Sequence, residues 1–444
     1  MFMRRTSSVV AATISIFVGG ATSVVYSMTE KEENILDDVP KHCTLRQVIM
    51  VHRHGDRSPI SRSVGTKIVV ESENVEDDDD SQFWKSRLPE SNAVKNLYAR
   101  FGFTDTDKLI DENNGSVRGK LTRKGFEELH ALGLSLRKRY HDRLHFLDSS
   151  LCDQNKHLVY LRCTPMSRCV RSELCILSGL FVSSEKCEIP IVIGDPNPSS
   201  AWYVCCSLKH NNNNNNNNLD RRYRETMWPS NRMCAYQMDL MRASRKTWRR
   251  NDELDALRKR LVDIVGPALG FEEGKRVRLG STMEVAHCYH RHGKDVPVDE
   301  SVVDRLQHLF WQLKVNAFTK TDLPLLRITI GRLLNELFQK MNQAIESQEN
   351  SPKWCQFSGH DSTMIPLMTS LGLYSNGWPQ YGANVVLELW EMNDVKDSYF
   401  VQVFHNGTLQ YRILWSEFSQ RMEPLIMSDP SLYESECKER FDRF

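Results

Sequence analysis

The sequence predicts an α/β protein, a mixed sheet with helices packed on it and one mainly helical insertion. Three observations carry that prediction. Strand-like runs at Leu45–Val51, Leu158–Leu161 and Trp354–Phe357 each lead on to arginine or histidine, and each precedes a stretch with apolar residues at three- and four-residue spacing. The last section reads instead as successive strands, Asn384–Glu391, Ser398–His405 and Thr408–Leu414. Between these parts the composition shifts after Gly194 and returns at Asp322.

A chain of 444 residues can bury a core as one large or two modest domains, and 26% charged with 40% hydrophobic residues is ordinary for a soluble enzyme. The formal net charge is only +1, so no nucleic-acid partner is expected, anion binding has to be local, and the expected partner is a small molecule. Residues 1–40 are expected to be a targeting segment or membrane anchor plus a flexible linker. Arg4 and Arg5 precede Val9–Tyr26, a run of apolar and small residues, and the first acid is Glu30. A secretory signal fits the basic start and the Gly19, Ala21 and Ser23 region; a single-pass anchor fits the run itself and would associate residues 9–26 with a membrane. Either reading puts the chain in the secretory pathway or on a membrane. A mitochondrial transit peptide is the alternative, from the Ser/Thr content and the missing acids. Twelve cysteines show no repeated spacing and no Cys-x-x-Cys pair, so they leave the compartment open and argue against a structural zinc site. Asn114-Gly-Ser and Asn406-Gly-Thr are glycosylation sequons.

Val48, Ile49, Met50 and Val51 make the core of the first strand, and charge arrives abruptly after it. Arg53, His54 and Arg57 fall within five positions, and Gly55 lets the backbone turn sharply or approach a ligand closely. A strand-to-loop exit is a ligand site in α/β proteins. Two guanidiniums around one imidazole call for an anion. Phosphate suits them, because Arg stays ionised and can bind two phosphate oxygens in parallel. The same positive field disfavours imidazolium, so His54 is expected to stay unprotonated to lower pH than a free histidine and to be available as a nucleophile.

Arg53-His54-Gly55-Asp56-Arg57-Ser58-Pro59 resembles the signature of the histidine acid phosphatases, a branch of the phosphoglycerate mutase superfamily. The resemblance implies a phosphoglycerate mutase-like α/β sandwich and a phosphohistidine intermediate on His54. Neither a metal nor a cofactor is expected, since arginine does the charge neutralisation.

Ile60 to Gly119 shows little periodicity, has an acidic run over Glu76–Asp80, and reads as an irregular surface insertion. Thr122 can cap the next helix, where Phe126, Leu129, Leu136 and Tyr140 recur at helical spacing. Leu158–Leu161 is a second buried strand and runs into Arg162; Arg168 opens a helix through Leu177 and Leu180. In the family a strand ends in Arg-Ser-Thr, and an arginine six residues after the first completes the phosphate clamp. Arg162-Cys-Thr and Arg168 match in spacing, with Cys163 where Ser is usual and Pro165 and Ser167 in place of acids. The match implies phosphate binding by Arg168 and a supporting role for Arg162. Ile189–Ile193 is a third strand.

Residues 195–322 are assigned to an inserted helical cap with an Asn-rich loop, because Asn211–Asn218 cannot pack a core. Basic residues flank that loop, among them Arg221, Arg222, Arg224, Arg245 and Lys246. They read as a solvated helix face, or as a surface that draws anionic lipid or polyphosphate. Leu254–Val265 looks helical. His287, His290 and His292 cluster, and His290-Arg-His-Gly-Lys superficially repeats the first motif. It lacks the second arginine and the proline, no strand precedes it, and no His-Glu-x-x-His arrangement supports a metal there.

The core, residues 41–194 and 323–444, resumes at Pro324 with an apolar stripe through Leu326, Ile330, Leu333, Leu337 and Met341. Trp354–Phe357 then leads to His360 and Asp361 at the N-terminus of a helix running to about Leu371, where free amides favour anions. Asn406-Gly407 is a two-residue hairpin turn.

The expected activity is acid-phosphatase hydrolysis of a phosphate monoester. Arg53, Arg57, Arg168 and His360 hold the phosphoryl group, His54 attacks it, and Asp361 gives a proton to the departing alcohol. Trp378-Pro379 and the runs from His360 to Gly372 and from Tyr399 to Val403 resemble members of the family that act on lysophosphatidic acid, which implies a lysophospholipid substrate. A mutase, an inositol-phosphate (phytase-like) phosphatase and a catalytically silent phosphoester-binding protein are the alternatives.

Overall fold

The computed structural model describes residues 39–61, 78–112, 115–182, 186–194, 225–227, 234–248, 252–269, 277–320, 323–347, 351–373 and 377–438. The targeting and anchor readings of residues 1–38, the Asn run, Arg221 to Arg224 and the sequon at Asn114 lie outside the described residues. In chain order the elements are β1 (Cys43–Arg53), α1 (Asp78–Lys85), α2 (Ser91–Arg100), α3 (Arg123–Arg137), β2 (Val159–Cys163), α4 (Ser167–Leu180) and β3 (Ile191–Ile193). Next come α5 (Ala235–Trp248), α6 (Asp252–Ala268), α7 (Leu279–Arg291), α8 (Glu300–Lys320), α9 (Pro324–Glu346), β4 (Trp354–Gly359) and α10 (Asp361–Ser370). The chain closes with β5 (Asn384–Met392), β6 (Tyr399–His405), β7 (Thr408–Leu414), α11 (Trp415–Met422) and α12 (Pro430–Lys438).

The strands form one mixed sheet in the order β3-β2-β4-β1-β5-β6-β7. β3, β2, β4 and β1 are parallel, and β5, β6 and β7 add antiparallel on the far side of β1. The last hairpin turns at Asn406 and Gly407, both with positive φ (49° and 79°), as a two-residue turn matching strand twist requires. The period of two along a strand decides which helices it meets. Ile49 and Val51 of β1 join Cys355, Phe357, Val385, Leu387, Val401 and Val403 in one apolar cluster with α9 and α10. The alternate side chains face α4 instead. Ser358 Oγ donates to Cys169 O at 2.8 Å, and Gln356 Nε2 donates to Glu173 O at 3.1 Å. Helices therefore cover both faces, the mixed α/β sandwich the sequence predicts.

α3 begins where the sequence placed it, with Thr122 Oγ1 accepting from Gly125 N at 3.1 Å. It meets α4 backbone to backbone, since a Cβ on Gly133 would lie 2.1 Å from Ile176 O and one on Gly179 2.2 Å from His130 O. Any larger side chain at either position forces the helices apart.

Two stretches differ from expectation. The region after Ile60 is not irregular throughout: α1 and α2 lie in it, with Trp84, Leu97, Tyr98 and Phe101 buried. These helices are only eight and ten residues long, too short for periodicity to announce, and Trp84 is held by ring contacts to Tyr289 and His292 from a distant helix. Helices α11 and α12 come after the terminal hairpin, and a disulfide joins Cys437 of α12 to Cys234 at the start of α5. Between β3 and α9 the described elements are helical. Leu254, Leu261, Met283, Val302 and Leu306 form their own apolar cluster there, while Leu240 of α5 and Trp311 and Phe318 of α8 belong to the main core. No helix among the described residues is long and apolar enough to cross a membrane.

Candidate active site

Three parallel strands end level with one another. The register pairs Arg53 with Gly359 and Cys163 with Ser358, so the segments leaving β1, β2 and β4 converge outside the carboxyl ends of these strands, where parallel sheets bind ligands. β1 supplies Arg53 and His54. β2 leads through Thr164 to Arg168 in the first turn of α4, and β4 leads to His360, the N-cap of α10, and Asp361.

His54 is 2% exposed, and its Nδ1 lies 2.8 Å from Gly55 O. A carbonyl only accepts, so Nδ1 carries the proton and the Nε2 lone pair is bare. Burial, then the charges of Arg168, Arg53, Arg57 and His360, holds the pKa of His54 well below the ordinary 6.5. His360 packs edge-on against it at 5.5 Å between ring centroids. Its Nε2 lies 3.0 Å from Thr164 Oγ1 and its Nδ1 lies 3.5 Å from Arg168 Nη2. Burial and the same three arginines keep His360 well below the ordinary imidazole value too.

The arginines are buried yet incompletely bonded. Arg53 Nη1 donates to Pro379 O at 2.8 Å and its Nη2 lies 3.1 Å from Asp361 Oδ2. Arg57 Nη1 donates to Ser58 O at 2.9 Å and to Glu284 Oε1 at 2.5 Å, and Arg168 Nη1 donates to Gly119 O at 3.3 Å. Burial opposes the charge on Arg57, but Tyr381 and Glu284 outweigh it and its pKa is raised; burial lowers that of Arg168. The Nε of all three is buried without a hydrogen-bond partner among the described residues. Three unmet cationic donors beside an unprotonated imidazole suit a multivalent oxyanion such as phosphate.

The structure thus brings together all six residues singled out in the sequence: Arg53, His54, Arg57, Arg168, His360 and Asp361. Arg162 turns elsewhere, to Glu336 Oε2 at 3.0 Å and Thr226 Oγ1 at 3.1 Å. Gly55 works by packing, since a Cβ there would lie 2.6 Å from Leu129 Cδ1 of α3.

Several residues at the site escape sequence reasoning. Tyr381 lies under Arg53, 4.4 Å from its Cζ to the ring centroid, and 5.8 Å from the His54 ring. The segment that superficially repeats the first motif grips the real one. Arg291 Nε reaches Asp56 Oδ2 at 2.5 Å and His292 Nε2 reaches Asp56 Oδ1 at 2.6 Å, with Thr122 Oγ1 donating to the same oxygen. Burial works against the charge on Asp56, and the bonds from His292 and Thr122 outweigh it, so its pKa is lowered. The three clustered histidines go separate ways: His287 to Gln307, His290 to Val298 O and His292 to Asp56. Among the described residues no group of His, Cys, Asp and Glu is arranged to hold a metal. One signal was available. Glu284, His287, Cys288 and Arg291 recur at helical spacing and form one face of α7, turned toward the signature loop.

A model of the histidine phosphatase superfamily (branch 2) matches residues 44–406. The chain is 23% identical over 417 residues to lysophosphatidic acid phosphatase type 6 of Homo sapiens, across 88% of this chain and 86% of that one. It is 23% identical over 401 residues to lysosomal acid phosphatase of Bos taurus, across 87% and 79%. Among solved structures, the apo form of a phytase from Hafnia alvei matches with a TM-score of 0.53 at 13% identity, across 88% and 98% of the two chains. That likeness is one of fold.

Proposed function

The chain belongs to branch 2 of the histidine phosphatase superfamily and is a phosphatase, and from that premise we propose that it hydrolyses phosphate monoesters through a phosphohistidine on His54. The observation that carries this reading is the bare Nε2 of a buried, neutral His54 among three buried guanidiniums with unmet donors. Arg53, Arg57, Arg168 and His360 bind the phosphoryl oxygens and offset the charge that spreads over them in the transition state. Nε2 attacks phosphorus in line, the bond to the ester oxygen breaks, and the carboxyl of Asp361 passes its proton to that oxygen so that an alcohol leaves. Water then attacks the phosphohistidine. The N–P bond breaks, Asp361 takes the water's proton, and orthophosphate departs.

For the substrate we favour lysophosphatidic acid, on the relative of that name matched over most of both chains. Residues 195–322 then act as a cap over the leaving group. A secretory-pathway location is supported by the Cys234–Cys437 disulfide, a bond of oxidising compartments, and by the lysosomal relative. Phosphate release from lysophosphatidate, phytate and p-nitrophenyl phosphate, followed from acid to neutral pH, tests both levels. Preference for lysophosphatidate supports the substrate, while turnover of phytate or small esters alone discards it and keeps the chemistry. His54→Ala is expected to abolish release from a folded protein, and undiminished release rules out the nucleophile.

A further inference from the structure

α7 turns four side chains at i, i+3, i+4 and i+7 toward the signature loop, and three of them have evident tasks. Glu284 bonds Arg57, Cys288 Sγ lies 3.2 Å from Tyr381 Oη, and Arg291 bonds Asp56. The fourth, His287, packs its ring on Tyr381 at 5.4 Å between centroids and a 31° tilt. It lies one ring further from the nucleophile than Tyr381, which itself packs on His54 and under Arg53.

A chain of hydrogen bonds fixes the tautomer of His287. Trp378 O can only accept, so the group 3.3 Å from it is Gln380 Nε2, a donor. That same nitrogen donates to Gln307 Oε1 at 3.0 Å, which turns Gln307 Nε2 toward His287 Nδ1 at 3.2 Å. Nδ1 therefore accepts, and the proton sits on Nε2. Nε2 is buried and has no hydrogen-bond partner among the described residues. Burial, then the charges of Arg53 and Arg291, brings the pKa of His287 down to about 4, so the ring is a neutral donor. A buried N–H held in one orientation by three residues and left unbonded is costly unless a ligand oxygen completes it.

We infer that His287 is a substrate-binding residue whose Nε2–H donates to an oxygen on the leaving alcohol, which selects monoesters of polyol-type alcohols over those with a plain hydrocarbon group. This rests on the phosphatase reading above. The phosphoryl oxygens already face the donors of Arg53, Arg57 and Arg168. His287 packs on the Tyr381 ring that lies under Arg53, whose Nη2 bonds Asp361, the group proposed to protonate the alcohol. A neutral donor suits an uncharged hydroxyl or carbonyl oxygen.

The test compares glycerol 3-phosphate, whose alcohol carries further hydroxyls, with phenyl phosphate, whose alcohol carries none, on the full-length protein. His287→Phe keeps a ring on Tyr381 and removes the donor. It is expected to raise KM for glycerol 3-phosphate about 5- to 10-fold, the effect of one neutral hydrogen bond, and to leave phenyl phosphate unchanged. His287→Gln, which can place an amide N–H near the lost one, is expected to restore most of the difference. If His287→Phe does not fold, His287→Asn, which keeps an acceptor for Gln307 and loses the Nε2 donor, takes its place. Equal KM rises on both esters, or none on either, would overturn the assignment while leaving the phosphatase reading intact. Wild-type protein that releases phosphate neither from these two esters nor from lysophosphatidate would instead overturn that reading and this one with it.

Discussion

His54 and Asp361 divide the proposed reaction between a base that never needs to lose a proton and an acid that must supply one. The first property comes from surroundings, because burial and three arginines keep His54 unprotonated at pH values where a free imidazole is charged. The second is set by position, since Asp361 lies in the first turn of α10 with its carboxylate on Arg53. Asp361→Asn removes the proton donor but leaves the nucleophile. It is expected to lower kcat by about 100-fold or more for an alkyl phosphate, whose alkoxide is a poor leaving group. For p-nitrophenyl phosphate, whose phenolate leaves without help, the loss is expected to be much smaller, and equal losses on both would count against the acid role. At this scale the sequence was legible where residues were adjacent, as in Arg53-His54 and His360-Asp361. It was silent on Tyr381, a single residue of common type that only distant packing brings to the site, and marked Glu284 only as part of one helical face.

α7, one of the helices between β3 and α9, completes the signature loop. Asp56, two positions after the nucleophile, is fully buried and receives Thr122 from the N-cap of α3 together with Arg291 and His292 from the end of α7. α3 fits closely enough that a Cβ on Gly125 would lie 2.4 Å from Asp56 O. Asp56→Ala leaves these donors facing a cavity and is expected to cost about 2 kcal/mol, discounted from a fully buried pair because Arg291 is partly exposed. Urea denaturation measures it, and in an Arg291→Ala background the same change is expected to cost clearly less. Identical costs in both backgrounds would mean that the pair is not coupled. The helical spacing of α3, α4 and α9 could be read in the sequence because each is amphipathic over several turns, and α10 was read from the strand and the His360-Asp361 pair before it. α1 and α2 could not, because they are short and packed by partners far along the chain.

The protonation of the whole molecule links the site to stability. His52, His54, His287 and His360 all have pKa values below the ordinary 6.5, burial being the first cause in each. Unfolding raises them, so the unfolded chain binds more protons and stability falls as pH drops through about 6.5. His52, fully buried and held at about 4, accounts by itself for about 2 kcal/mol at about pH 5. Glu173, pushed up to about 8 by burial, has the opposite sign: its contribution is present below the ordinary carboxyl value and lost as pH rises through about 8. The histidines outnumber it, so the melting temperature is expected to fall between neutral pH and about pH 5, and His52→Gln is expected to flatten that fall. An unchanged slope in His52→Gln would refute its share. The sequence by itself determined the strand ends, the Arg53-His54 and His360-Asp361 pairs that follow them and the mixed α/β class, because apolar alternation, helical spacing and one dense local motif are properties of neighbouring residues, while the family resemblance pointed to Arg168. Tertiary structure alone decided that Asp56 locks to α7, that Tyr381 packs between His54 and His287, that Arg162 turns away to Glu336, and that Cys234 pairs with Cys437. These contacts join residues far apart in the chain, and only the burial of the helical faces against the sheet fixes which of them meet.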